Sequence, residues 1–141
     1  MHWLIMSLLL IAAPAQAQSP NDTQGGAACV VAKKLGNSLA IEWVVGEQSV
    51  SKAITSAKFA LKSRGFDYVF PQGNSSIPHG WIVVVKTEYK TIIGKMRTSY
   101  GCGFSTVSAD EAEALAVSEL SAYSWGWKPK FGYDKVQLKR Y

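Results

Sequence analysis

Apart from His2 near its start, the chain carries one histidine, His79, within Ser75-Ser76-Ile77-Pro78-His79-Gly80. A serine or cysteine nucleophile needs a general base within hydrogen-bond reach, and His79 is the imidazole that could serve. The sequence places no partner beside it, and a solvated loop histidine ahead of a strand explains it equally well. Paired carboxylates are the other route to acid–base chemistry. Asp110, Glu111 and Glu113 are accounted for by the start of a helix. Glu42, between Ile41 and Trp43, would face solvent by strand alternation. Gly25-Gly26 and Gly101-Cys102-Gly103 lack the spacing and the lysine of a phosphate loop. No cluster has zinc or calcium ligand spacing. The expectation is therefore a protein that is not an enzyme and holds no cofactor or metal.

The richest chemistry lies near the C-terminus. Trp125, Trp127, Phe131, Tyr133 and Tyr141 are interleaved with Lys128, Lys130, Lys135, Lys139 and Arg140. Aromatic faces next to cations suit stacking on sugars and pairing with anions. They also suit protein interfaces, where Trp, Tyr and Arg act as anchors. The same residues could close the core behind a helix while the lysines protect an edge strand. Candidate binding residues are His79, Trp81, Trp125, Trp127, Lys128, Lys130, Phe131 and Tyr133, with the loop from Pro71 to Gly80 as a second contact segment.

The two cysteines, Cys29 and Cys102, are expected to form a disulfide. Such a bond closes a loop of roughly 70 residues and is worth about 4 kcal/mol in the chain-entropy description. A metal site would need more ligands than one histidine supplies. An oxidising compartment agrees with the first residues. Trp3 to Ala13 is apolar but for Ser7, too short to span a bilayer, and Ala15-x-Ala17 fits a signal-peptidase site. Cleavage after Ala17 would leave about 120 residues, suited to one domain. No later segment is long and apolar enough to cross a membrane as a helix, and a formal net charge of +5 favours anionic partners. Nucleic acid is not expected as a partner of an exported chain.

Residues 18–28 read as a polar, flexible lead, with one domain over 29–141. Leu39, Ile41, Trp43 and Val45 alternate as in a strand. Val50, Ile54, Ala57 and Leu61 mark a helix capped by Ser49 and stopped at Gly65. Trp81 to Val85 is a β-branched central strand, Thr87 to Lys90 a turn, and Thr91 to Tyr100 a returning strand with a bulge at Gly94. Ser108-Ala109-Asp110-Glu111 is a capping box, with Ala112, Leu115, Ala116, Leu120 and Tyr123 on the buried face. Tyr133 to Tyr141 ends the chain as an edge strand. A short extra strand around Cys29 to Ala32 is compatible with this pattern. The order βαββαβ predicts an α+β fold, a four-stranded antiparallel sheet with two helices on one face in ferredoxin-like order. No sequence repeat between the two halves stands out.

From Gly80 to Leu120 the chain resembles small exported bacterial proteins carrying a domain of unknown function. The resemblance rests on Gly80-Trp81 opening a strand, a turn, a glycine-containing second strand, and Ser108-Ala109-Asp110-Glu111-Ala112-Glu113 opening an Ala-rich helix. Those proteins often carry a cysteine soon after the helix, whereas Cys102 precedes it. The resemblance implies a bacterial periplasmic or secreted protein of accessory or immunity type. The expected function is inhibition or neutralisation of another exported protein, a toxin or an envelope enzyme. The alternative is a module binding envelope or an anionic glycan polymer through the basic, aromatic C-terminal region.

Overall fold

The computed structural model describes residues 25–141. The leader and most of the polar lead lie outside the described residues. Six strands and two main helices follow in order: β1 (Gly26–Lys34), β2 (Asn37–Glu47), α1 (Val50–Ser63), β3 (Val69–Ser75), β4 (Trp81–Lys90), β5 (Met96–Ser105), α2 (Ala109–Tyr123) and β6 (Asp134–Arg140). A short 3-10 turn, Pro129–Phe131, precedes β6.

The strands form two antiparallel three-stranded sheets, β2-β1-β3 and β5-β4-β6. The single four-stranded sheet of ferredoxin-like order is therefore incorrect. Strand β1 includes the short extra strand anticipated around Cys29 to Ala32, whereas strand β3 is unanticipated. Strand β1 also occupies residues read as the end of the lead, with Ala27 and Ala28 fully buried, so order begins ahead of Cys29. Strand β3 occupies half of the segment read as the Pro71–Gly80 loop. Its Pro71, Gly73 and Asn74 are unfavourable in strands, and pairing with β1 overrides them. Thr87 and Tyr89 continue the buried alternation of Val83 and Val85 along β4. The hairpin consequently turns later than expected, over Thr91–Lys95, and Gly94 sits in that turn at φ 80°.

Strand alternation sorts the apolar residues into three layers. Val30, Ala32 and Ala40 pack on Ala57 and Leu61 of α1. Val83 and Val85 pack on Ala112, Ala116 and Leu120 of α2. Between the sheets lie Cys29, Ile82, Val84 and Cys102, against Ile41, Trp43, Val45 and Phe104. The order through the molecule is helix, sheet, sheet, helix. The Cys29–Cys102 disulfide, with Cα atoms 6.5 Å apart, ties β1 to β5 across the central layer.

Each sheet with its helix is the same ββαβ unit, with strand order second, first, third. The sequence carries a trace of this. Ser49 caps α1 by accepting from the Lys52 amide, and Ala53, Ala57 and Leu61 are its buried residues. Ser108 caps α2 by accepting from the Glu111 amide, and Ala112, Ala116 and Leu120 are buried. Both helices read Ser-x3-Ala-x3-Ala-x3-Leu, a short repeat between halves that otherwise share little sequence. Trp43 and Cys102 stand equally far ahead of these caps and occupy matching places, paired with Cys29 and Val84 respectively.

Small residues set the helix–sheet distance. A Cβ on Gly103 would lie 1.8 Å from the Ala112 carbonyl oxygen, and one on Gly101 2.1 Å from that of Ala116. Helix α2 therefore rests on bare strand backbone, while Cys102 between these glycines points away towards Cys29. That close approach explains the Gly-Cys-Gly run. We expect Gly103→Ala to cost about 3 kcal/mol through overpacking, and Ser118→Ala on the exposed face of α2 to cost little. Urea unfolding midpoints of the two variants measure the difference.

At the outer edge of β5 the backbone meets side chains instead of another strand. Glu119 Oε1 accepts from the Cys102 amide at 3.0 Å and from Gln72 Nε2 at 3.0 Å. Gln72 also donates to the Tyr100 carbonyl. Desolvation raises the Glu119 carboxyl pKa to about 7, outweighing its two hydrogen bonds. Both donors address one oxygen, so the other can carry a proton without losing either bond. A raised folded-state pKa gives stability that is fully present below about pH 4.5 and lost as pH rises through about 7. We expect unfolding free energy to fall by on the order of 2–3 kcal/mol between pH 5 and pH 8. Glu119→Gln should flatten that dependence, as followed by denaturant titration at each pH.

Candidate functional site

The sequence candidates fall into two groups at opposite ends of β4. His79 is exposed just ahead of β4, with no hydrogen-bond partner for its ring among the described residues. Trp81 is half-buried beside the α2 core, and the Arg140 guanidinium lies 5.6 Å over its ring. The C-terminal strand ends there too, Tyr141 and Gly80 exchanging two backbone hydrogen bonds. The aromatic and basic segment lies towards the other end of β4. Among the described residues no nucleophile–base pair is assembled around His79. Glu42 is bound by Arg64 at 3.0 Å, which accounts for it structurally.

Within the C-terminal segment most aromatic groups serve the fold. Trp127 is buried, and its Nε1–H donates to the Gly132 carbonyl at 3.1 Å. The Thr87 hydroxyl donates to the same oxygen at 2.8 Å. Phe131 stacks on Tyr89 with centroids 5.8 Å apart, and Lys130 lies 5.5 Å from the centre of the Phe131 ring. Tyr133 donates to Glu113, which also pairs with Lys135. The Glu113 carboxylate raises the Tyr133 pKa. Lys128 is exposed. Trp125 differs from all of these, being 95% exposed.

Trp125 shares its end of the molecule with residues that the sequence reading did not single out. A groove of about 390 Å³ is lined by Trp125, Ile92, Ile93, Arg97, Tyr123 and Gly36, among others, and by no carboxylate. Ile92 is 98% exposed and Ile93 76%. On the far side of Gly36 stands Leu35, 91% exposed, at the tip of the β1–β2 hairpin. No protein-family model, characterised protein or solved structure matches the chain.

The two units differ at this end. The hairpin turn is two residues in the first unit, Leu35-Gly36, and five in the second, Thr91–Lys95. The connection from helix to last strand is five residues in the first, 64–68, and ten in the second, 124–133. The longer segments bring Ile92, Ile93 and Trp125. In repeated architectures, residues added beyond the shared frame gather in loops on one face, often the binding face.

Leu35 adds an energetic sign. Its φ of 51° is the one positive value for a non-glycine residue among the described residues. A left-handed leucine costs roughly 1–2 kcal/mol. It is also fully solvated, so packing returns nothing. Strain and exposure in one residue mark a position kept for something other than stability. We expect Leu35→Asn, which tolerates that conformation, to raise stability by about 1 kcal/mol. Thermal unfolding of the two proteins side by side tests this, and a fall in Tm would contradict it.

Proposed function

We propose that this is a non-enzymatic binding protein of an oxidising, extracytoplasmic compartment, and that it binds through the end bearing Leu35, Ile92, Ile93 and Trp125. The observation that carries the reading is that three exposed large apolar side chains, Ile92, Ile93 and Trp125, line one groove, with exposed Leu35 next to the groove residue Gly36. Apolar patches of this kind mark interaction surfaces. The frame beneath is rigid, with two sheets cross-linked at Cys29–Cys102, which lowers the ordering cost of binding. The cross-link and the Ala15-x-Ala17 leader support export. Among the described residues no helix is long and apolar enough to cross a membrane.

An inhibitory or immunity-type protein and an envelope-binding module would both use such a face. The reading of the basic, aromatic segment as a continuous glycan platform has less support. Phe131, Tyr133 and Trp127 are engaged internally, which leaves Trp125.

Passing a host envelope extract over the immobilised protein tests the proposal. The native protein should retain envelope material. Ile92→Ser/Ile93→Ser/Trp125→Ser should retain less than about a tenth as much, with unchanged circular dichroism. His79→Ala should behave as native. Loss of retention with His79→Ala and none with the triple variant would move the contact surface to the other end and reopen chemistry at His79.

A further inference from the structure

We propose that the partner of this end is the surface of an anionic phospholipid bilayer, on which the protein rests with Leu35, Ile92, Ile93 and Trp125 inserted at the headgroup boundary. The inference rests on the binding face argued above and names what covers it.

Charge surrounds the tips on several sides. Lys34 precedes Leu35, Lys90 and Lys95 flank the Thr91–Lys95 turn, and Arg97 lines the groove beside Gly36. Lys33, one residue further back, lies 5.2 and 5.4 Å from the ring centres of Phe70 and Tyr123, and burial lowers its pKa. Asp67 lines a pocket with Lys33, Lys34 and Tyr68, outside ion-pair distance of either lysine, and the Glu88 carboxylate lies 3.4 Å from the Lys86 ammonium. The four cations Lys34, Lys90, Lys95 and Arg97 are therefore free of ion pairs with acidic residues among the described residues. Apolar points ringed by unpaired cations match a bilayer with anionic headgroups, which supplies phosphate at the rim and hydrocarbon behind it.

The shape favours a bilayer over a protein. Protein interfaces enclose their anchors in well-packed pockets. Here the anchors project from two hairpin tips and from the α2–β6 connection, and a fluid medium can close around each separately. Tryptophan belongs at the headgroup level, with its apolar ring and polar N–H.

The test uses the chain as its host exports it, with vesicles of phosphatidylcholine alone and with roughly one-third phosphatidylglycerol. Native protein should co-sediment with the anionic vesicles at least about tenfold more strongly than with the neutral ones, with a blue shift in tryptophan emission. Trp125→Phe should abolish the shift, although Trp43, Trp81 and Trp127 remain. Ile92→Ser/Ile93→Ser should weaken partitioning about tenfold or more. Lys90→Gln/Lys95→Gln should do the same on anionic vesicles only. These positions are exposed, so retention of the disulfide and of circular dichroism separates lost binding from misfolding. The N-terminal residues are common to all variants, so any difference belongs to the tips.

Partitioning indifferent to the isoleucine and lysine changes would overturn the proposal, as would a shift that survives Trp125→Phe. So would a self-association, seen by sedimentation equilibrium, that Ile92→Ser/Ile93→Ser abolishes while vesicles have no effect. Retention of envelope protein by the native tips, without vesicle binding, would sink the bilayer as partner and leave the binding face standing.

Discussion

Two small sheets, each covered by a helix on one side, have second faces that are apolar and that only the other sheet can cover. Ile82 and Val84 on β4 meet Ile41, Trp43 and Val45 on β2 across a layer that contains both cysteines. A three-stranded sheet with one helix has a single protected core and leaves its other face wet. Docking the two supplies the missing burial, and the disulfide limits how far they can separate in the unfolded chain. The rest of the architecture follows from this central layer. Gly101 and Gly103 must bring α2 down onto β5 so that Cys102 can face the other way. Gln72 and Glu119 must satisfy the outer edge of β5 because, among the described residues, no strand pairs with it there.

How well the fold could be read from sequence varied with the kind of signal. Both helices were legible because their caps are local chemistry: a serine hydroxyl accepts from an amide three residues on. Strand β4 was legible through its β-branched run. Strand β1 was legible only around Cys29 to Ala32, and strand β3 was not legible. The first is rich in Gly and Ala, whose burial is set by what packs on them, and the second contains a proline and a glycine that only its partner strand makes acceptable. Leaving them out of the strand order turned two sheets into one. The glycines around Cys102 lack the spacing of a phosphate loop, and their role is steric. In the candidate site, Trp125 was legible as an aromatic among cations. Ile92 and Ile93 resembled ordinary strand residues until the turn was located, and nothing local distinguished Leu35. The α2 stripe was read one step too wide, since Leu115 and Tyr123 remain substantially exposed.

Frame and function separate along the internal repeat. What the two ββαβ units share is capping, small-residue packing and strand order, all of which serve stability. What the second has in addition is a longer hairpin and a longer helix-to-strand connection, and these carry the exposed isoleucines and tryptophan. The first unit contributes Leu35 in a conformation that costs energy. Solvent-exposed apolar tips on a frame that does not need them are a common form of the exchange between stability and activity.

A chain made of two like halves has a characteristic hazard. The apolar face of one half can be covered by the complementary half of another molecule as well as by its own, giving exchanged dimers or open chains of molecules. The Cys29–Cys102 bond bears on this directly. Once oxidation has joined a molecule to itself, its halves can no longer be traded, and the monomeric arrangement is locked in covalently. Oxidised between molecules, the same pair of sulfurs would lock in the exchanged form with equal permanence. The order of events, docking before oxidation or the reverse, thus decides which assembly persists.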